Sequence, residues 1–267
     1  MSNPLPYLRN TSGGLNAQCL YPFDRIVSCY TNVNPFQNAS EQRSVARPPL
    51  YGFSLPMNSL LIADKSAWLA YFVTNKGRQH TDLQLTLGGT TYSNLTLMSD
   101  VLDVIQQTNL IYNQRVALRQ VAAANFSTYT PPSVGSSFPM LKFGFGSPTS
   151  SGVELPFSQA SSFLTSVGDS PFGPRYVLSW YAAGLVGFPG TYLRSWNISY
   201  PLLDATDLAT LETFFLGKQG RYAVFSFTDP QSGVVYPNVR FNNDELVIRY
   251  ITVNQYSTEI SLVETFV

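Results

Sequence analysis

The residues whose types could do chemistry are few. They are one histidine, His80, two cysteines, Cys19 and Cys29, and two close carboxylate pairs, Asp100 with Asp103 and Asp244 with Glu245. A lone imidazole can act as a general base, but one His and two Cys do not make the usual tetrahedral zinc site. Glycoside hydrolysis needs only two carboxylates, so the acidic pairs raise a hydrolase reading. An Asp-x-x-Asp or Asp-Glu spacing carries almost no specificity, however, and both pairs stand at expected strand entrances, where acidic residues solvate turns. The chain has no Gly-x-Ser-x-Gly elbow, Walker loop or dinucleotide fingerprint. Gly144 and Gly146 lack a third glycine and a following helix, and they read as a turn. The sequence therefore names no catalytic, cofactor-binding or metal-binding residue, and the expected class is non-enzymatic.

Composition points the same way. Of 267 residues only 12% are charged, and 16 Lys+Arg balance 16 Asp+Glu. That share is about half the usual one of roughly 25%. A surface so poor in charge is either coated with Ser, Thr and Asn or covered by neighbouring subunits, and zero net charge favours association. No basic patch marks a nucleic-acid reader. No charged-then-apolar leader and no run of about 18 apolar residues occurs, so neither a signal peptide nor a membrane span is expected. Without an export signal, Cys19 and Cys29 are expected as two reduced thiols. The Asn-x-Ser/Thr triplets at Asn10, Asn38, Asn94, Asn125 and Asn197 are what an Asn-, Ser- and Thr-rich chain produces by chance. Sixteen Tyr, 18 Phe and 3 Trp supply core filling. The same rings leave open a sugar-binding aromatic platform on a β module that attaches to a host receptor.

The elements that must position these residues occur twice. Residues 53–78 (FSLPMNSLLIADKSAWLAYFVTNKGR) align without a gap on residues 196–221 (WNISYPLLDATDLATLETFFLGKQGR). Phe53 falls on Trp196, Leu55 on Ile198, Leu60 on Leu203, Asp64 on Asp207, Phe72 on Phe215 and Gly77-Arg78 on Gly220-Arg221. At the same offset His80 falls on Ala223, which argues against a shared catalytic role. Each copy predicts a strand, a short helix capped by Asp64 or Asp207, a glycine stop (Gly77 in the first copy, Gly217 or Gly220 in the second), and further alternating strands. In the first copy Trp68, Leu69 and Phe72 are expected to face the core; in the second, Leu208, Leu211 and Phe215. Strands are expected at 25–30, 50–55, 83–87, 101–105, 115–121, 140–145, 176–181, 193–200, 222–227, 245–251 and 258–266, with 102–111 open to a helical reading. The expected architecture is mainly β with short helices (α+β), in two tandem split-barrel modules. The first covers residues 1–125, a linker covers 126–137, where Pro131-Pro132 and Gly135 break regular structure, and the second covers 138–267. Repetition suits a ring or surface more than one asymmetric pocket.

From Tyr192 onward the second copy resembles the C-terminal part of distal tail and minor tail proteins of long-tailed bacteriophages and related gene transfer agents. The residues that carry the likeness are YLRSWNISYPLLD, LETFFLGKQGR, YAVFSFTDP, VRFNNDELVIRY and EISLVETF. The first copy is more diverged: AWLAYFVTNKGR matches the helix and turn, but TDLQLTL lacks the aromatics and the Asp-Pro ending. The resemblance implies the tail-tube β-barrel plan for each module. It also implies a virion structural protein, assembled in the host cytoplasm, that forms a ring at the distal end of the tail tube. Its partners would be other copies of itself, the tail tube protein and the tail-tip or baseplate hub, with no cofactor. Six copies could continue a sixfold tube, or three copies could set six modules in a pseudo-hexameric ring; closed rings need heterologous contacts in either case.

Overall fold

The computed structural model describes residues 5–11, 14–35, 41–60, 62–74, 77, 81–121, 129–139, 141, 163–165, 195–228 and 234–265. The elements in chain order are β1 (Tyr7–Asn10), β2 (Asn16–Gln18), β3 (Phe23–Pro35), β4 (Glu41–Leu60), α1 (Ile62–Thr74), β5 (Leu83–Leu87), β6 (Thr90–Leu97), β7 (Val104–Gln106), β8 (Tyr112–Gln120), β9 (Phe163–Thr165), β10 (Ser195–Leu203), α2 (Ala205–Lys218), β11 (Phe225–Thr228), β12 (Val235–Phe241), β13 (Glu245–Thr252) and β14 (Gln255–Glu264). The protein is mainly β with two short helices. Its strand pairings are antiparallel, and the sheet is not closed into a barrel among the described residues.

Two compact units divide the chain, and they are not simply its two halves. One gathers residues 1–27, 50–128 and 247–254; the other gathers 28–49, 129–246 and 255–267. In the first unit β2 pairs with β1, β1 with β5, β5 with β6, β6 with β8 and β8 with β4, while β7 lies on β8. In the second, β11 pairs with β12, β12 with β14, β14 with β10 and β10 with β9.

The repetition read from residues 53–78 and 196–221 extends to strand register. On β8, Phe53 faces Leu118, Leu55 faces Val116 and Leu60 faces Tyr112, with a register shift between Met57 and Leu60. On β14, Trp196 faces Leu262, Ile198 faces Ile260 and Leu203 faces Tyr256, with the shift between Tyr200 and Leu203. The next pair agrees: Leu95–Leu97 face Gln120–Leu118 as Val239–Phe241 face Glu264–Leu262. The hairpin agrees as well, with a shift between Leu83 and Leu85 matched by one between Phe225 and Phe227. Register carries this information because side chains alternate faces with period two, so a one-residue slip would turn every core residue outward. A bulge absorbs one extra residue and bends the strand, and here each first strand bends just before its helix. The hairpins differ at their tips. Gly88 and Gly89, both with positive φ, close the first in two residues, whereas six residues separate the paired Thr228 and Val235 of the second.

Both helices start earlier than their sequence signals suggested. Asp64 and Asp207 are first-turn residues, not caps. For α2 the N-cap is Asp204, whose carboxylate accepts the Asp207 N–H at 2.8 Å. Asp204 is extended (φ −85°, ψ 176°), the geometry a cap needs, while Asp207 already sits inside the turn. In α1 the buried face is Trp68 and Tyr71, with Leu69 exposed, because three-residue spacing stacks side chains on one face and adjacent residues diverge. In α2, Leu208, Leu211 and Phe215 are buried as expected, joined by Phe214. Strands β1, β2, β6, β9 and β12 had no counterpart among the expected strands; β9 falls where residues 146–175 read as a Gly-, Pro- and Ser-rich loop. Residues 102–111 hold the short strand β7 and bends, not a helix. The expected strands at 140–145 and 176–181 lie outside the described residues, apart from Leu141.

The second unit's core is largely aromatic. Phe138 packs within 5.5–6.4 Å, centroid to centroid, of Phe214, Phe225, Phe227 and Phe241, and Trp196 lies 5.0 Å from both Phe227 and Tyr236. Residues 129–137 of the expected linker are half-buried or exposed. Phe138 and Ser136 exchange backbone hydrogen bonds with Ser226, and Gly217 leaves room for Val134 and the Pro132 carbonyl.

After each helix a left-handed glycine lies against an aspartate that follows the hairpin. A Cβ on Gly77 (φ +63°) would sit 2.7 Å from Asp100 Oδ1; one on Gly220 (φ +61°) would sit 2.6 Å from Asp244 Oδ1 and 2.9 Å from Cys29 Cβ. Gly77→Ala and Gly220→Ala are expected to destabilise the protein by at least about 1–2 kcal/mol each from left-handed backbone alone, with Gly220→Ala the worse. Urea unfolding measures this; an unchanged midpoint for Gly220→Ala would remove the corner from the account.

Candidate interaction surface

The carboxylates that might have formed a catalytic pair are placed as turn and corner residues. Asp244 Oδ1 accepts the Arg221 N–H and Oδ2 accepts the Thr31 N–H, both at 2.9 Å, while its carbonyl accepts the Cys29 N–H at 2.7 Å. Glu245 beside it is exposed at the start of β13. Asp100 and Asp103 are exposed in the segment between β6 and β7. His80 lies outside the described residues. Among the described residues no group of three or more His, Cys, Asp or Glu could hold a metal ion.

The hollows of the described surface include three that join no two carboxylates. One, about 680 Å³, runs along α2 between Val134, Ala205, Ala209, Thr213 and Phe214 and carries no ionisable side chain in its lining. A second, about 570 Å³, is lined by Tyr7, Arg9, Asn10 and Gln84, and Arg9 donates to Gln84 at 3.2 Å. The third, about 280 Å³, contains Glu259 among Asn, Ser and Ile residues. Burial, more than any charged neighbour, dictates the shifted acids. It holds the phenols of Tyr71 and Tyr200 well above their ordinary value, reinforced by the bond from Tyr71 to Asp82 at 2.6 Å and by Asp207 beside Tyr200. Both stay protonated at neutral pH.

Trp68 and Trp196 are fully buried, and the exposed large aromatics among the described residues are Tyr7, Tyr129 and Tyr222. The described rings thus serve the interior first. Of the Asn-x-Ser/Thr asparagines, Asn10 is buried and its side chain accepts the Leu15 N–H, Asn94 and Asn197 are exposed, and Asn38 and Asn125 lie outside the described residues. No helix among the described residues is long and apolar enough to cross a membrane.

What the chain does build is a strand seat. The segment 28–49, from the ends of β3 and β4, belongs to the second unit, where the Thr31 hydroxyl donates to the Gln219 carbonyl at 3.1 Å. Arg240 of β12, 5% exposed, closes on Glu41 of β4 through Nε–Oε2 at 2.8 Å and Nη2–Oε1 at 2.7 Å, and its Nη1 donates to the Phe241 carbonyl. A two-point guanidinium–carboxylate contact sets orientation as well as attraction. Arg43 lies 3.9 Å from the same carboxylate; burial lowers its pKa, Glu41 works against that, and Arg240 adds to it. None of this was legible in the sequence, because Glu41 and Arg240 are 199 residues apart.

The chain matches no protein-family model and no curated protein sequence.

Two outcomes are expected. Glu41→Gln leaves Arg240 charged and buried and costs about 3 kcal/mol in urea unfolding, while Glu41→Met with Arg240→Met recovers most of that loss; equal stability of the single variant and the parent would show the pair to be incidental. Cys19 and Cys29 are buried free thiols, each pushed up to about 12 by burial, with Asp244 adding to the shift at Cys29. Both resist maleimide at pH 8 until the protein unfolds. Because the folded state keeps these protons after an unfolded thiol has lost them, their contribution to stability falls between about pH 9 and 12; rapid labelling of the native protein would contradict the burial.

Proposed function

We propose that this chain is a structural component of a bacteriophage virion, forming a ring at the distal end of the tail tube and joining the tube to the tail-tip or baseplate hub. The observation that carries the reading is the repeated strand–helix–hairpin–strand segment with its bulges in the same register. Two near-equivalent units in one chain suit heterologous contacts that close around an axis. The resemblance of Tyr192 onward to distal and minor tail proteins supplies the identity of the ring. Low charge, zero net charge and the lack of a paired-carboxylate hollow among those described favour a protein that works through its surfaces.

In this reading residues 1–125 and 138–267 are two tail-tube-like modules joined by 126–137, and each open sheet is completed by neighbours in the assembly. Six copies make a ring with one module each at the tube; three copies make a pseudo-hexameric adaptor. The lumen passes DNA without reading its sequence. The protein then resides in the virion and is assembled in the host cytoplasm. A carbohydrate-binding module is the competing reading. It calls for an exposed aromatic row, and the described aromatic side chains are mostly interior.

Electron microscopy of the purified protein, with averaging of single particles, tests the proposal. Rings of three or six copies, or rings capping isolated tail tubes, are the expected outcome. A stable monomer that binds neither itself nor tubes, but saturably binds a glycan, would replace it.

A further inference from the structure

Side chains alternate along a strand, so Glu41 and Arg43 of β4, two residues apart, share a face. Together with Arg240 of β12 they form a cluster whose side chains are 15%, 12% and 6% exposed. Arg240 takes both oxygens of Glu41, at 2.8 and 2.7 Å, and donates its Nη1 to the Phe241 carbonyl. Arg43 is left with one contact to that carboxylate, Nε–Oε2 at 3.9 Å, which is too long for a hydrogen bond. Its Nη1 is buried and meets no hydrogen-bond acceptor among the described residues. A guanidinium stays charged in a protein, so two arginines and one glutamate leave the cluster one positive charge in excess. Tyr222 also acts electrostatically on Arg43 and is 39% exposed, so the cluster borders solvent there. A buried charge without a hydrogen-bonded partner is destabilising, and an apolar side chain of similar length would fill the same place without that penalty.

We propose that Arg43, backed by the Arg240–Glu41 pair, is a binding site for one carboxylate, which its Nη nitrogens hold. The class of ligand follows from shape and charge. A guanidinium presents its N–H groups as a planar fork that matches two oxygens of a carboxylate or a phosphate. One carboxylate cancels the excess charge of the cluster. A phosphate group, with roughly −1.5 to −2 at neutral pH, would overshoot it and be repelled by Glu41. Arg240 cannot serve as the open partner, because Glu41 and the Phe241 carbonyl already occupy it. The division of labour is therefore clear: Arg240 orients Glu41, Glu41 draws the second arginine in, and Arg43 keeps its donors for the ligand. With so little of these side chains exposed, the site suits a carboxylate on a thin stem, either a small free acid or an Asp or Glu side chain of another protein. The inference does not rest on the ring reading above, and either can fail alone.

The test uses the full chain at pH 7 and constant ionic strength, with sodium chloride exchanged stepwise for sodium acetate. A ligand that binds only the folded state raises stability as its site fills, so acetate is expected to raise the urea midpoint saturably. Arg43→Met is expected to abolish that rise, whereas a general effect of the salt would survive the substitution. In chloride alone Arg43→Met should match or exceed the parent, since it removes an uncompensated buried charge. Broadening of the carbon-13 acetate resonance reads binding without relying on stability, and it should fall at least tenfold in Arg43→Met. Arg43→Lys keeps the charge but not the fork and should weaken acetate at least threefold. A short peptide carrying one glutamate distinguishes the sources: binding tighter than acetate identifies an acidic side chain of a protein, and weaker binding a free acid. The inference is overturned if acetate neither raises the midpoint nor broadens, or if Arg43→Met keeps both responses. It is equally overturned if phosphate binds more tightly than acetate, or if Arg43→Met loses stability in chloride, which would make Arg43 a support for Glu41.

Discussion

The constraint on which the structure depends is the pairing of the first strand of each repeat with its last. Phe53 on Leu118 and Trp196 on Leu262 hold sequence-distant strands side by side. Everything between them, the helix and hairpin, must fold into the space that this pairing leaves. Because strand faces alternate, the register decides which residues reach the core. The bulges before Leu60 and Leu203 then redirect the chain into its helix. Two segments of low mutual identity keep the same bulges because shifting either would turn the following apolar residues to water.

The glycine–aspartate corners show how the same constraint serves different ends. In both repeats the helix stops near a left-handed glycine, and an aspartate arriving from the hairpin fills the space that a side chain would need. At Asp244 the corner also receives Cys29 and Thr31 from β3. It thus acts as a seat for a strand from the other repeat's part of the chain. The buried Arg240–Glu41 pair orients that segment from β12, whereas the matching position in the first repeat is the uncharged, buried Thr96. Equivalent frameworks therefore carry non-equivalent attachments.

The described carboxylates with assigned contacts serve the fold: Asp204 caps α2, Asp244 holds a corner, Asp82 accepts from Tyr71 and Glu41 pairs with the buried Arg240. The shifted phenols and thiols are shifted mainly by burial, which makes them inert. Large aromatic side chains fill the interior, where edge-to-face ring contacts add specificity to apolar burial.

The amino-acid sequence alone determined the β character, the two short helices and the repetition, since these are written in local periodicity and in paired segments such as 53–78 and 196–221. It also marked Gly77 as a helix stop and left Gly217 or Gly220 for the second, because a backbone that must turn left-handed leaves a mark on residue type; the structure makes Gly220 the left-handed one. It misled at Asp64 and Asp207, where a good capping residue one turn inside the helix looks the same as a cap. Five short strands escaped it, since three- to eight-residue strands earn stability from their neighbours more than from their own composition. Only the tertiary structure decided that residues 28–49 join the second unit, that Glu41 meets Arg240, and that β13 lies beside β3. Those are long-range facts: they depend on which strand edge meets which, and backbone hydrogen-bonding groups are the same in every residue but proline.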